Sequence, residues 1–354
     1  MELLKIEIIK EPEISLDVIN QAAREKFKKI CYVCKSCDGK DCPTGVPGMG
    51  GAGTGSSFRR NIQALKKYKV ITRLIHDVHI PDTSASFLNI DLSQPVLPAP
   101  ITGAVTNMGG AIDELEYNRA IVEGSIRSGV IGFVGDGASP EKYKIGLEAI
   151  AEFNGAGIPI FKPRSDNQEI IKRIKAAEKA GSVAVGMDID AVVFKTMAMK
   201  NQAVGPKSFD ELKEIISSTK LPFILKGIMN PYDAELALKA GAKGIIISNH
   251  GGRVLDEMAG SMDVIEEIVT LVGGKFPVLI DGGFRNGVDV LKALALGADA
   301  VSIGRPVAIA AVGMGSKGVS FYLDHIKQEL QKAMILTGCK RLEEINRDII
   351  KVIK

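Results

Sequence analysis

Residues 276–306 read FPVLIDGGFRNGVDVLKALALGADAVSIGRP. An apolar run, Phe276 to Ile280, stops at Asp281, Gly282 and Gly283. Asn286 then opens a stretch with apolar residues at helical spacing that ends at Gly297, as helix start and stop chemistry requires. A second apolar run, Ala298 to Ile303, halts at Gly304, Arg305 and Pro306. Two largely apolar runs joined by a capped helix describe a βαβ unit, whose parallel strands are buried on both faces.

Outward from this stretch the same rhythm repeats. From about residue 95 there are eight rounds of apolar run, polar loop and amphipathic segment, with candidate strands PVLPAPITG, GVIGFVG, GIPIFKP, SVAVGMDID, LPFILKG, AKGIIISNH, FPVLIDGG and ADAVSIGRP. The helical segments include DELEYNRAIVEGSIRSG, NQEIIKRIKAAEKAG, SFDELKEIISSTK and PYDAELALKAG. Eight alternations fit a (β/α)8 TIM barrel, an α/β fold, better than a doubly wound sheet, which needs only about five or six strands. Residues 1–94 form an N-terminal extension containing cysteines, the run PGMGGAGTGSS and a helical RRNIQALKKYK. Past about residue 314, FYLDHIKQELQKAM and RLEEINRDIIKVI are expected to form two more helices. No Pro/Ser linker separates the parts, so residues 95–354 read as the barrel with its C-terminal helices, and 1–94 as an extension packed on it.

Composition narrows the partners. With 45 basic and 42 acidic residues mixed along 354, the net charge of +3 makes no field for nucleic acid or an anionic membrane. No apolar run reaches the roughly 18 residues of a membrane span, and MELLKIEIIKEPE lacks a signal-peptide layout. A cytoplasmic protein without nucleic-acid or membrane partners is expected.

In a barrel the chemistry sits at the C-terminal strand ends. The sixth strand ends in SNHGGR, which brings His250 and Arg253 to the mouth; the fifth brings Lys226. The loops after strands seven and eight, where barrels often hold phosphate, carry Gly282, Gly283, Arg285, Gly304 and Arg305. Glycines there let backbone approach an anion and arginines supply charge; the alternative is that the glycines only make turns. His250, one of four histidines, is placed to act as a general base beside an anion-binding arginine.

SNHGGRVLD, IDGGFRNGVDVLKALALGADAVSIGRP and LTGCKRLEEI resemble the FMN-dependent 2-hydroxy acid oxidizing enzymes, among them glycolate oxidase, lactate oxidase and flavocytochrome L-lactate dehydrogenase. The resemblance is dense from about 221 to 347 and thin before it. It implies FMN across the barrel mouth, with its phosphate at Gly283, Arg285, Gly304 and Arg305, and Asp281 on the ribityl chain. Ala99, Pro100, Ile101 and Thr102 would face the ring, Lys226 its pyrimidine edge, and Ser248, Gly251 and Gly282 would complete the cofactor site. His250 would take the substrate hydroxyl proton, Asp190 would orient His250, and Arg253 would pair with the substrate carboxylate. The implied reaction is oxidation of a small, lactate-like L-2-hydroxy acid by a homotetramer. Two other readings stay open: an isomerase resembling type 2 isopentenyl diphosphate isomerase, and a flavin-binding protein without catalysis.

The substrate clamp departs from the family pattern. DIDAVVFKTMAMK lacks the family's arginine and offers only Lys195 and Lys200; IFKPRS puts Lys162 where the family has a tyrosine; and PGMGGAGTG replaces a second tyrosine. Lys162, Arg164 and Lys195 keep the mouth positive, which implies a small anionic substrate held by a rebuilt clamp.

CYVCKSCDGKDC, residues 31–42, contains Cys31, Cys34, Cys37 and Cys42, four of five cysteines, spaced C-x2-C-x2-C-x4-C and followed by Pro43. In a reducing compartment such a group reads as a metal site. The spacing favours an iron-sulfur cluster over zinc, whose structural sites usually pair two CxxC knuckles across a longer loop. A cluster would carry electrons from reduced flavin toward an acceptor the sequence does not name; the alternative is a metal that only staples the N-terminal arm.

Overall fold

The computed structural model describes residues 14–139 and 141–353, so MELLKIEIIKEPE lies outside the described residues. Eight parallel strands form one sheet: β1 Val96–Pro98, β2 Gly132–Gly135, β3 Gly157–Phe161, β4 Val185–Asp188, β5 Phe223–Ile228, β6 Gly244–Ile247, β7 Val278–Asp281 and β8 Ala300–Ile303. The ladder runs from β2 through β3, β4, β5, β6, β7 and β8 to β1, where Val96 pairs with Val301. It is a TIM barrel, closed except at the β1–β2 seam. Every residue of these strands is buried except Gly227, which is partly buried, so apolar runs rather than alternation encode them.

The helices between strands obey local chemistry. Asn230 caps Pro231–Ala240 by accepting from the Asp233 amide, proline occupies the first turn, and Gly241 closes the helix at φ 96°. Ser208 and Glu211 form a reciprocal capping box for Phe209–Ser217. Asn286 caps Gly287–Ala295, the helix of the opening stretch.

Both chain ends wrap the barrel. Ser15 caps helix Leu16–Phe27, which buries Ile19, Ala23 and Phe27. Burial of each large apolar side chain there stabilises by about 1.5–3 kcal/mol. Its partner is the Arg305–Thr337 helix, broken by non-helical residues Met314 and Gly315; a Cβ on Gly313 would lie 2.4 Å from the Ile19 carbonyl oxygen, so glycine permits the approach. Its second half is the expected FYLDHIKQELQKAM helix. RLEEINRDIIKVI is not a helix. It forms two 3-10 turns, Leu342–Glu344 and Arg347–Ile349, then strand Ile350–Val352 paired antiparallel with Tyr68–Val70. The β-branched cluster at its end favours extended pairing, and Asn346 caps the second turn instead of continuing a helix.

Candidate active site

A cavity opens at the C-terminal ends of the strands. The β1 loop contributes Ala99, Pro100, Ile101 and Thr102 to its wall, and the β7 and β8 loops contribute Asp281, Gly282, Gly283, Arg285, Gly304 and Arg305. Lys162, Lys226, His250, Gly251 and Arg253 complete the polar lining, while Met49, Phe194 and Met197 add apolar surface. Cations therefore outnumber carboxylates around it, an environment for an anion.

Beneath the mouth runs a buried chain of charges. Asp188, at the end of β4, meets Lys162 Nζ at 2.8 Å and Lys226 Nζ at 3.0 Å. Lys226 lies 3.7 Å from Asp281, whose Oδ1 accepts from Ser248 Oγ at 2.6 Å. Burial alone would raise Asp188, yet the two ammonium groups hold its carboxyl below the ordinary range. The same carboxylates, against burial, hold Lys226 above its ordinary value and so keep it charged. Burial pushes Asp281 up.

His250 sits just past β6 with φ 58°, a left-handed conformation unusual for a residue with a Cβ, and its amide donates to Ser248 Oγ at 3.0 Å. Its Nδ1 is 3.0 Å from Asp190 Oδ1, and its Nε2 is 3.4 Å from Lys162 Nζ. A carboxylate only accepts and an ammonium only donates, so Nδ1 carries the hydrogen and Nε2 is bare. Burial first, and the Lys226 ammonium next, hold the imidazole below its ordinary value. The arrangement leaves Nε2 as an acceptor on the cavity side, suited to taking up a proton.

The glycine-rich arm closes the other side. Arg253 donates to the carbonyls of Gly48 at 2.7 Å and Gly50 at 2.8 Å, and to Asn107 Oδ1 at 3.1 Å. Arg305 donates to Met49 and Gly251 carbonyls and stacks on Phe58, its guanidinium carbon 3.7 Å from the ring centroid. Burial, then the neighbouring Arg305, push Arg253 down to about 9; burial brings Arg305 down to about 10. Gly252 holds the arm close: its φ is 74°, and a Cβ there would lie 2.3 Å from the Phe58 amide nitrogen.

Not all expected residues line the cavity. Ser248 and Asp190 act from below, through Asp281 and His250. Lys195 is exposed and does not line the cavity; its neighbours Thr196 and Met197 do, because the short helix Lys195–Ala198 turns the lysine outward. Arg164 is buried on Asp136 at 3.1 Å, away from solvent, and so serves the wall. Sequence reasoning missed Asp188, although SVAVGMDID offers two carboxylates at that strand end. It also missed Glu114, whose carboxylate accepts from Thr102 Oγ1 and the Gly103 and Ala104 amides and fixes the β1 loop. Only the fold brings that helix residue to the loop.

Cys31, Cys34, Cys37 and Cys42 are partly buried free thiols on a loop beside Arg285. Cys31 Sγ accepts from the Val33 amide at 3.4 Å, and burial pushes its thiol up to about 11. Among the described residues, the one group of three or more metal-type ligands within 4.8 Å is Asp188, Asp190 and His250. Ion pairs and the His250 hydrogen bond already engage these side chains, which fits proton handling rather than a metal.

The cavity fits FMN. Arg285, Arg305 and the glycines of two adjacent loops match a phosphate, Asp281 can accept from a polyol, and Ser302 Oγ, buried on the cavity wall, has no partner of its own. The model of the FMN-dependent dehydrogenase family matches residues 48–206 and 195–352. Peroxisomal (S)-2-hydroxyacid oxidase GLO3 of Arabidopsis thaliana is 31% identical over 336 residues, covering 85% of this chain and 90% of that protein. The 2-hydroxyacid oxidase of Dictyostelium discoideum is 32% identical over 370 residues, covering 95% and 90%. A crystal structure of mandelate oxidase with (S)-2-phenylpropionate superposes with a TM-score of 0.74 at 29% identity, over 96% of this chain and 98% of that one. Among the described residues no helix is long and apolar enough to cross a membrane. The barrel, its cationic mouth and these matches together make the chain a member of the FMN-dependent 2-hydroxy acid oxidizing family, an oxidoreductase acting on CH–OH groups.

Proposed function

We propose that the protein oxidises a small, lactate-like L-2-hydroxy acid to the 2-oxo acid. The observation carrying this reading is His250, with Nδ1 on Asp190 and bare Nε2 facing a cavity lined by Arg253 and Lys162. Bound FMN supplies the acceptor for the hydride leaving carbon 2. His250 Nε2 takes the hydroxyl proton, so two electrons and two protons leave the substrate and the carbonyl forms. Asp190 holds the ring and stabilises its charged form, as the carboxylate does in a catalytic triad. Lys226, kept charged by Asp188, sets a positive charge under the mouth where negative charge develops. Arg253 and Lys162 receive the substrate carboxylate; Lys162 is a point charge rather than a planar fork, so the pocket tolerates variation around that group. Lys195 is left out of the clamp because it is exposed.

Cys31, Cys34, Cys37 and Cys42 would hold an iron-sulfur cluster, which would supply one-electron transfer from the reduced flavin toward an acceptor. Zinc at the cysteines would only staple the N-terminal arm. The family resemblance supports a homotetramer, and the cysteine usage supports a reducing cytoplasm. Protein purified without oxygen and mixed with a panel of 2-hydroxy acids tests the reaction: one of them is expected to bleach the flavin bands, and bleaching by none, with flavin bound, sinks it.

A further inference from the structure

The cysteine loop and the cofactor phosphate loops share a residue. Arg285, on the β7 loop, donates from Nε to the Cys37 carbonyl at 3.0 Å and from Nη2 to Cys37 Sγ at 3.5 Å. A third donor, on Nη1, goes to the carbonyl of Phe284 at 2.8 Å. A guanidinium has five N–H groups, so two remain for an anion in the cavity that Arg285 lines. Phe58 packs beneath both phosphate-loop arginines, 6.0 Å from Arg285 and 3.7 Å from Arg305, and Gly39 of the cysteine loop lies against the same ring.

The cysteine loop turns sharply at its first C-x2-C step. Within the first C-x2-C step, Val33 takes a left-handed φ of 48° and donates its amide to Cys31 Sγ, with its side chain buried. The spacing of the cysteines, C-x2-C-x2-C-x4-C followed by Pro43, resembles the run that binds an iron-sulfur core more than the paired knuckles of a structural zinc.

From the cysteine spacing and the Cys37–Arg285 contact we infer that an iron-sulfur cluster on Cys31, Cys34, Cys37 and Cys42 is coupled, through Cys37 and Arg285, to binding of the cofactor phosphate. Once Cys37 is a fixed ligand, the Nε edge of Arg285 is pinned and its remaining donors are preorganised for the phosphate. Loading the cluster therefore tightens flavin binding, and by linkage bound flavin retains the cluster by the same factor. The coupling rests on FMN being the anion held at these loops, as proposed above.

Iron, acid-labile sulfide and zinc are measured on full-length protein purified without oxygen, and FMN affinity is then titrated by flavin fluorescence before and after the metal is removed by chelator. Iron with sulfide, and an affinity at least about fivefold weaker after removal, are expected. Zinc without iron, or an unchanged affinity, overturns the proposal. Cys34→Ser, which removes a ligand that does not touch Arg285, should reproduce the weak binding; Arg285→Lys should keep the iron but bind FMN equally with and without it. Circular dichroism of each variant guards against misfolding, and the chelator arm needs no variant. Substrate bleaching separates the two readings: bleaching without iron removes only the cluster, whereas coupling without bleaching by any 2-hydroxy acid removes only the proposed reaction.

Discussion

At the scale of single residues, the decisive contact is between His250 and two charges of opposite sign. Asp190 fixes the tautomer, and Lys162 stands on the nitrogen that would receive the proton. His250→Ala should keep FMN, since the phosphate loops are untouched, and slow anaerobic flavin reduction by about 10²–10⁴-fold; undiminished reduction removes histidine from the mechanism. The pH dependence follows from the depressed imidazole. The base must be neutral, so kcat/KM falls as pH drops through its pKa, and that limb should lie below the ordinary value of about 6.5. Lys162→Gln removes one of the charges that lower it, and the limb should move up. A limb at or above 6.5 in the unaltered enzyme, or one that moves down in the variant, contradicts this electrostatic account.

At the scale of elements, the barrel strands and helices were legible because both periods are strong: mostly apolar runs for strands buried on both faces, and capped amphipathic helices between them. The chain ends were less so. RLEEINRDIIKVI has apolar residues that satisfy a helical period, yet Ile350 and Val352 complete a two-stranded ribbon with Tyr68–Val70, whose sequence lies some 280 residues away. No local rule reaches that far. Ile349, fully buried at the base of this ribbon, anchors it. Ile349→Ala should cost about 2–5 kcal/mol, read from the midpoint of urea unfolding; a change under 0.5 kcal/mol would show the C-terminal ribbon to be unimportant to the fold.

At the scale of the whole molecule, the N-terminal extension and the barrel share one site. Arg253 and Arg305 reach from the barrel to carbonyls of Gly48, Met49 and Gly50, so the arm closes over the mouth. Arg305 repels both Arg253 and Arg285 there, and an anion relieves that repulsion. FMN at about 100 times its Kd should therefore stabilise the protein by about 2.7 kcal/mol, seen as a higher Tm in thermal melts. Melting that is indifferent to FMN would mean the cations do not form its site.

The sequence by itself determined the eight-fold alternation, the two Gly-Arg loops, the SNHGGR strand end and the cysteine spacing. Each of these is encoded in residues close together in the chain, where periodicity and turn chemistry operate. Tertiary structure alone decided that Asp188 joins Lys162 to Lys226, that Glu114 fixes the β1 loop, that Lys195 faces away, and that Cys37 lies on Arg285. The lysines and Cys37 meet their partners across 26, 38 and 248 positions of chain. Barrel closure sets the lysine distances, because it brings successive strand ends to one rim whatever their separation in sequence, and packing of the N-terminal arm on that rim sets the third.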